Sequence, residues 1–219
     1  MALYETPEEV REAIIDAFDQ QTGRGDFLRK MLLVGAGVAA GSTALMSGAV
    51  PALAAEIEME PGRTRAGIAK SDLQILNYAL TLEHLEATFY RTASRPSNAQ
   101  IARYIDVVAA NEQTHVDALT TVIQNAGGTP VHEARYKFPP FSLPFAVILE
   151  NTGVHAYLGA APLVKSSALL LTAASIVTVE ARHAAAWMTL NKQNPTLGAF
   201  DTGLSMAAVV TAVTPLFAK

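Results

Sequence analysis

From residue 73 onward, apolar side chains recur every third or fourth position, the period of a helix buried on one face. Leu73, Leu76, Leu80 and Ala87 predict a first helix over 73–93, with Ser71 and Asp72 as its cap and Arg95-Pro96-Ser97-Asn98 as its end. Ile101, Ile105, Val108 and Leu119 predict a second over 98–126, stopped by Gly127, Gly128 and Pro130. Residues 131–143 lead into Pro144 with too many prolines for a helix and read as an extended crossover. A third helix is expected over 145–159, with Pro162 ending it or opening the next turn. Leu170, Ile176, Val177 and Trp187 mark the inward face of a fourth over 166–191. After a loop at 194–201, residues 204–217 read as a short apolar fifth helix on the bundle end. No stretch alternates at period two long enough for a strand, so the fold class is all-α: a four-helix bundle whose longest connection joins helices 2 and 3.

The first 69 residues follow a different pattern. Residues 7–18 can form a short amphipathic helix, Arg24 to Lys30 is basic-edged, and 31–55 carries no charge at all before ending in Ala52-Leu53-Ala54. A basic edge, a weak apolar core and a small-x-small site are the parts of an export signal. Arg24-Gly25-Asp26-Phe27-Leu28-Arg29 resembles the core of a twin-arginine signal, with Gly25 where the second arginine would stand. Residues 31–55 are also long enough to remain as a membrane anchor. Either reading places the body of the protein outside the cytoplasm, periplasmic or extracellular. Residues 56–69 read as a charged linker, leaving 70–219 as the bundle domain.

Composition narrows the chemistry. Half of the 219 residues are apolar and 16% are charged, enough for one domain with a sizeable core. The net charge of −4, with no basic block, lacks the footprint of a nucleic-acid binder. The chain has no cysteine, which removes disulfides, thiolate catalysis, cysteine-ligated zinc or iron–sulfur sites and any rubredoxin-like electron donor. A metal must be held by carboxylates and imidazoles, which suit iron or manganese as well as zinc.

Such a set is present. Glu83 is followed by Glu112-x-x-His115, and Glu150 by Glu180-x-x-His183, at separations of 29 and 30 residues. Residues three apart share a helix face, so each Glu-x-x-His can aim one carboxylate and one imidazole the same way. A shuffled chain of this composition would hold about 0.3 such pairs, and two stand here in matched places. Tyr90 follows Glu83 by seven residues and Tyr157 follows Glu150 by seven, nearly two turns, which puts each on its glutamate's face. The chain reads as a duplicated helix pair carrying four carboxylates, whose negative charge matches two dications. A lone carboxylate amid Ala146-Val147-Ile148-Leu149-Glu150 would otherwise be costly to bury.

The segments 82–90, 150–161 and 179–185 resemble the ferritin-like domain family that includes desiccation-related proteins, and the resemblance covers about 70–217. It implies that Glu83, Glu112, His115, Glu150, Glu180 and His183 ligate two iron or manganese ions. It also implies that Tyr90 and Tyr157 assist the chemistry by donating hydrogen bonds to those carboxylates. The expected function is an exported protein with redox chemistry on O₂ or peroxide in protection against oxidative or desiccation stress: ferroxidase, peroxidase or manganese-catalase-like. The alternatives are a structural or binding bundle with an empty or inert site, and iron storage in a homo-oligomer associated through the apolar 169–179 and 204–217 faces. Of the remaining polar residues, Glu86 is a reserve ligand, a solvated carboxylate or a carboxylate just outside the ligands, and Asn111 is a candidate support. His84 and Arg182 face away, His155 packs or faces solvent, and His132 has no role.

Overall fold

The computed structural model describes residues 68–196 and 198–218. The expectations for residues 1–55 and most of the linker lie outside the described residues. Four long helices follow one another: α1 (Lys70–Thr92), α2 (Ala99–Asn125), α3 (Leu143–Ala160) and α4 (Ser167–Leu190). A 3₁₀ turn at Ala161–Leu163 joins α3 to α4, so Pro162 opens a turn of its own. A short α5 (Met206–Val213) runs into a second 3₁₀ turn at Thr214–Leu216, making the fifth helix shorter than the pattern predicts.

The starts of these helices follow from local chemistry. Asn98 accepts from the backbone N–H of Gln100 and Ile101, and Ser142, Ser166 and Ser205 each accept from the third residue after them. Pro144 sits in the first turn of α3, where its missing N–H has no intrahelical partner to lose. α2 ends as Gly127 and Gly128 foretell. Gly127 takes φ +79°, and the N–H of Gly128 returns to Ile123 O at 2.9 Å.

α1 corrects the expected cap. Its N-cap is Ala69, without a side-chain bond, and Ser71 and Asp72 lie inside the helix. The Asp72 carboxylate is buried and accepts from the backbone N–H of Lys165 and Ser166, both at 3.0 Å. It therefore ties α1 to the start of α4.

α1 packs along α2 and α3 along α4, and α1 meets α3 while α2 meets α4 across the bundle. The long connection between α2 and α3 is the crossover. Its backbone meets the end of the chain: Lys137 N–H donates to Leu216 O and Ala218 N–H to Arg135 O, each at 2.8 Å. Among the described residues this isolated bridge is the sole β pairing. α3 and the loop before α5 touch closely, because a Cβ on Gly159 would stand 1.6 Å from Leu204 O.

The core falls into two apolar clusters. One gathers Leu85, Phe89, Tyr90, Ile105, Val108, Phe145, Leu149 and Trp187, and the other Leu76, Leu80, Leu119, Ile123, Leu169 and Ile176. On α2 the first cluster ends at Val108 and the second begins at Val116, and Glu112 and His115 fall in that interval.

Candidate metal centre

Each helix carries its donors at a buried level. α1 supplies Glu83, α2 Glu112 and His115, α3 Glu150, and α4 Glu180 and His183; the four glutamates have no exposed surface and the two histidines 3% each. Their donor atoms form two groups, each within 4.8 Å: Glu83, Glu112, His115 and Glu180 in one, Glu112, Glu150, Glu180 and His183 in the other. Glu112 and Glu180 belong to both. Two carboxylates shared between two groups, each completed by one carboxylate and one imidazole, could hold one cation or two neighbouring ones.

The contacts between donors favour a cation over a closed hydrogen-bond network. His115 Nδ1 lies 3.2 Å from Glu83 Oε2 and 3.1 Å from Glu112 Oε2, within hydrogen-bond geometry. By contrast, His183 Nδ1 stands 2.9 Å from Glu112 Oε1, and His115 Nδ1 3.0 Å from Glu180 Oε1, with angles that make no hydrogen bond. Both oxygens of Glu150 and of Glu180 lack a partner although fully buried. Buried oxygens left in this way carry a penalty that a divalent ion at their focus removes. The all-oxygen and imidazole donor set fits iron or manganese.

Burial and the charges of neighbouring donors shift the titration of these groups. Burial raises the carboxyls of Glu112 and Glu180, and the imidazoles beside them do not reverse it. Burial likewise raises Glu150, to about 7. Burial also opposes charge on the imidazoles, but the carboxylates around them prevail: His183 is raised to about 12, with Glu112, Glu150 and Glu180 as the cause, and His115 is raised by Glu83, Glu112 and Glu180. Glu83 alone of the six moves the other way. Burial pushes it up, but the charge and hydrogen bond of His115 and the Tyr157 hydroxyl outweigh that and hold it low.

Tyr157 and Tyr90 behave differently. The Tyr157 hydroxyl donates a short hydrogen bond to Glu83 Oε1. The Tyr90 hydroxyl lies beside Glu150 and falls short of hydrogen-bond geometry. Burial and the adjacent carboxylate raise both phenols well above their ordinary range, so both keep their protons. Asn111 meets His183 Nε2 at 3.0 Å. The atom that meets it is the amide nitrogen, which donates to an unprotonated Nε2; with the amide rotated by half a turn its oxygen would instead accept the Nε2 proton and leave the Nδ1 lone pair for a metal.

Most side chains set aside by sequence do point elsewhere. His84 Nε2 meets Val131 O of the crossover at 3.3 Å, and His132 and Arg182 are exposed. His155 is buried, its Nδ1 2.7 Å from Thr202 O, which fastens α3 to the loop before α5. Glu86 departs from the solvated alternative: it is 2% exposed, and its Oε2 has no partner.

Residues 71–193, which carry all six donors, match the family model of the ferritin-like domain. The chain belongs to the ferritin-like domain family. A comparison with curated proteins finds no match. Within the family's matched segment lie α1 to α4; α5 follows it.

Proposed function

We propose that this ferritin-like protein holds a pair of iron or manganese ions and performs redox chemistry on O₂ or peroxide. The observation that carries the reading is the sharing of Glu112 and Glu180 by two buried four-residue donor groups. When bound, such a pair supplies the electrons that reduce the oxidant. Glu112 and Glu180 would hold both ions, Glu83 with His115 would complete one site, and Glu150 with His183 the other. Tyr157 fixes the rotamer of Glu83 through its hydroxyl, and the Asn111 amide holds the His183 ring at Nε2. The aliphatic and aromatic side chains on both sides keep bulk water from the carboxylates.

A small, mainly apolar cavity beside Tyr157 favours O₂ over peroxide as the oxidant. It is lined by Leu76, Leu82, Leu169 and Tyr157. The Tyr157 hydroxyl rests on Glu83. An apolar diatomic loses little on entering such a cavity, whereas hydrated peroxide must shed hydrogen bonds.

The proposal extends to place and role. The charge-free run 31–55 with Ala52-Leu53-Ala54 supports export, Arg24 to Arg29 resemble a twin-arginine core with Gly25 in place of its second arginine, and the family resemblance supports protection against oxidative or desiccation stress. The test is an anaerobic titration with Fe(II) or Mn(II), followed by O₂ or by H₂O₂. Oxidation of the loaded protein by O₂, lost in Glu112→Ala and Glu180→Ala, is the expected result. A loaded protein inert to both oxidants would contradict it.

A further inference from the structure

The duplication in this chain breaks at three large side chains. α1 and α3 correspond at an offset of 67 residues, as Glu83 does to Glu150, and α2 and α4 at 68, as His115 does to His183. These offsets set Phe89 against Ala156, Ile105 against Ala173 and Trp187 against Leu119. The three larger side chains are buried in the apolar cluster that holds Tyr90. Phe89 meets the Tyr90 ring edge-on at 4.9 Å, and Trp187 stacks on that ring at 5.9 Å with 7° between the planes. The three smaller ones all line the cavity beside Tyr157. The void thus stands where the other half of the bundle carries two aromatic rings and a branched chain.

The cavity encloses about 30 Å³. By the same measure a water needs at least about 10–15 Å³, so there is room for one small molecule. Its wall suits a molecule that makes no hydrogen bonds. The Asp72 carboxylate is taken by the N–H groups of Lys165 and Ser166, and the Tyr157 hydroxyl by Glu83. Of the polar side chains on the wall, the Tyr78 hydroxyl alone lacks a partner, whereas a fixed water needs about two to four. An apolar diatomic needs none and gains dispersion contacts on every side.

We infer that this cavity is a docking site for dioxygen, and that it makes the two halves of the centre unequal. O₂ collects beside Tyr157, next to the Glu83–His115 group, while Phe89, Ile105 and Trp187 fill the corresponding space beside Tyr90. Tyr157 joins the two features, because it lines the cavity and donates to Glu83. The purpose of the site rests on the oxidation proposed above; gas binding itself does not.

The test begins with metal-free protein, so that gas binding is read without turnover. Methyl NMR spectra are recorded under O₂, with nitrogen at the same pressure as the blank. Leu82 and Leu149 correspond at the offset of 67 and are equally buried, but Leu82 lines the cavity and Leu149 does not. Paramagnetic relaxation by O₂ should be at least about fivefold stronger at the Leu82 methyls than at those of Leu149. Ala173→Ile, which gives the wall the residue of the filled half, should bring that ratio close to one. Loaded with Fe(II), this variant should need at least about fivefold more O₂ than wild type for half its maximal rate of oxidation. Leu119→Phe carries the same expectations should Ala173→Ile fold poorly. Equal relaxation at Leu82 and Leu149 in wild type, or water-to-methyl Overhauser effects that show an ordered water in the cavity, would overturn the inference. An unchanged O₂ dependence in a folded cavity-filling variant would overturn it too. Wild type that concentrates O₂ at Leu82 and is inert to it when loaded would instead overturn the proposed oxidation, with the gas site still standing.

Discussion

At Glu150, burial and the neighbouring Glu180 raise the carboxyl to about 7 against the pull of His183, and that sets how the metal-free protein responds to pH. Glu86, Glu112, Glu180, His115 and His183 are raised as well. A group with a raised folded-state pKa keeps a proton that the unfolded chain releases, so its stabilisation is complete below the unfolded value and is lost as pH rises. For the carboxyls the loss begins near 4.5, and for Glu150 it is complete once pH passes about 7. For the histidines it begins near 6.5 and continues toward the folded value, about 12 for His183. Glu83, which is lowered, has the opposite sign, and its stabilisation is lost only as pH falls below the ordinary carboxyl range. Thermal unfolding of metal-free protein should therefore show a melting temperature that falls steadily from about pH 5 to about pH 8. Saturating Mn(II) should flatten that slope, because bound metal replaces the protons. A metal-free melting temperature that rises across this range would contradict the assignment of a buried, proton-holding cluster.

The elements show which interactions a periodic pattern conveys and which it does not. Asn98 and Ser166 cap helices where the pattern begins them and Gly127 ends one, so those boundaries were legible from residues adjacent in sequence, whereas Ser142 and Ser205 cap helices that the pattern begins at 145 and 204. Asp72 was not. Its position suits a cap, but its partners are Lys165 and Ser166, more than ninety residues away. Replacing it with alanine leaves two backbone N–H groups at the start of α4 without their acceptor. Asp72→Ala should cost about 3 kcal/mol in denaturant unfolding, since hydrogen bonds to a charged group are worth about 1.5–3 kcal/mol each. Ser71→Ala should cost under about 0.5 kcal/mol. Equal effects of the two substitutions would restore the cap reading. The convergence of the six candidate donors was legible because a metal site demands fixed residue types at helical spacing. Glu86 was only half legible: its spacing placed it on the face of Glu83, but its complete burial depends on Gly153 of another helix.

Across the whole molecule, two apolar clusters flank one polar centre, and each of the four long helices contributes to that centre at least one buried acid. An apolar core on both sides raises the cost of uncompensated carboxylates and strengthens their hold on cations. By linkage, any metal that such a centre binds also stabilises the bundle around it. Metal content per chain measures the centre most directly. Metal-free protein loaded anaerobically with Mn(II) or Fe(II) and freed of excess should retain two ions per chain. Glu112→Ala and Glu180→Ala, which each remove a carboxylate shared by both groups, should retain one ion or none. A wild-type protein that retains fewer than two ions, or variants that still retain two, would contradict a dinuclear centre built on Glu112 and Glu180.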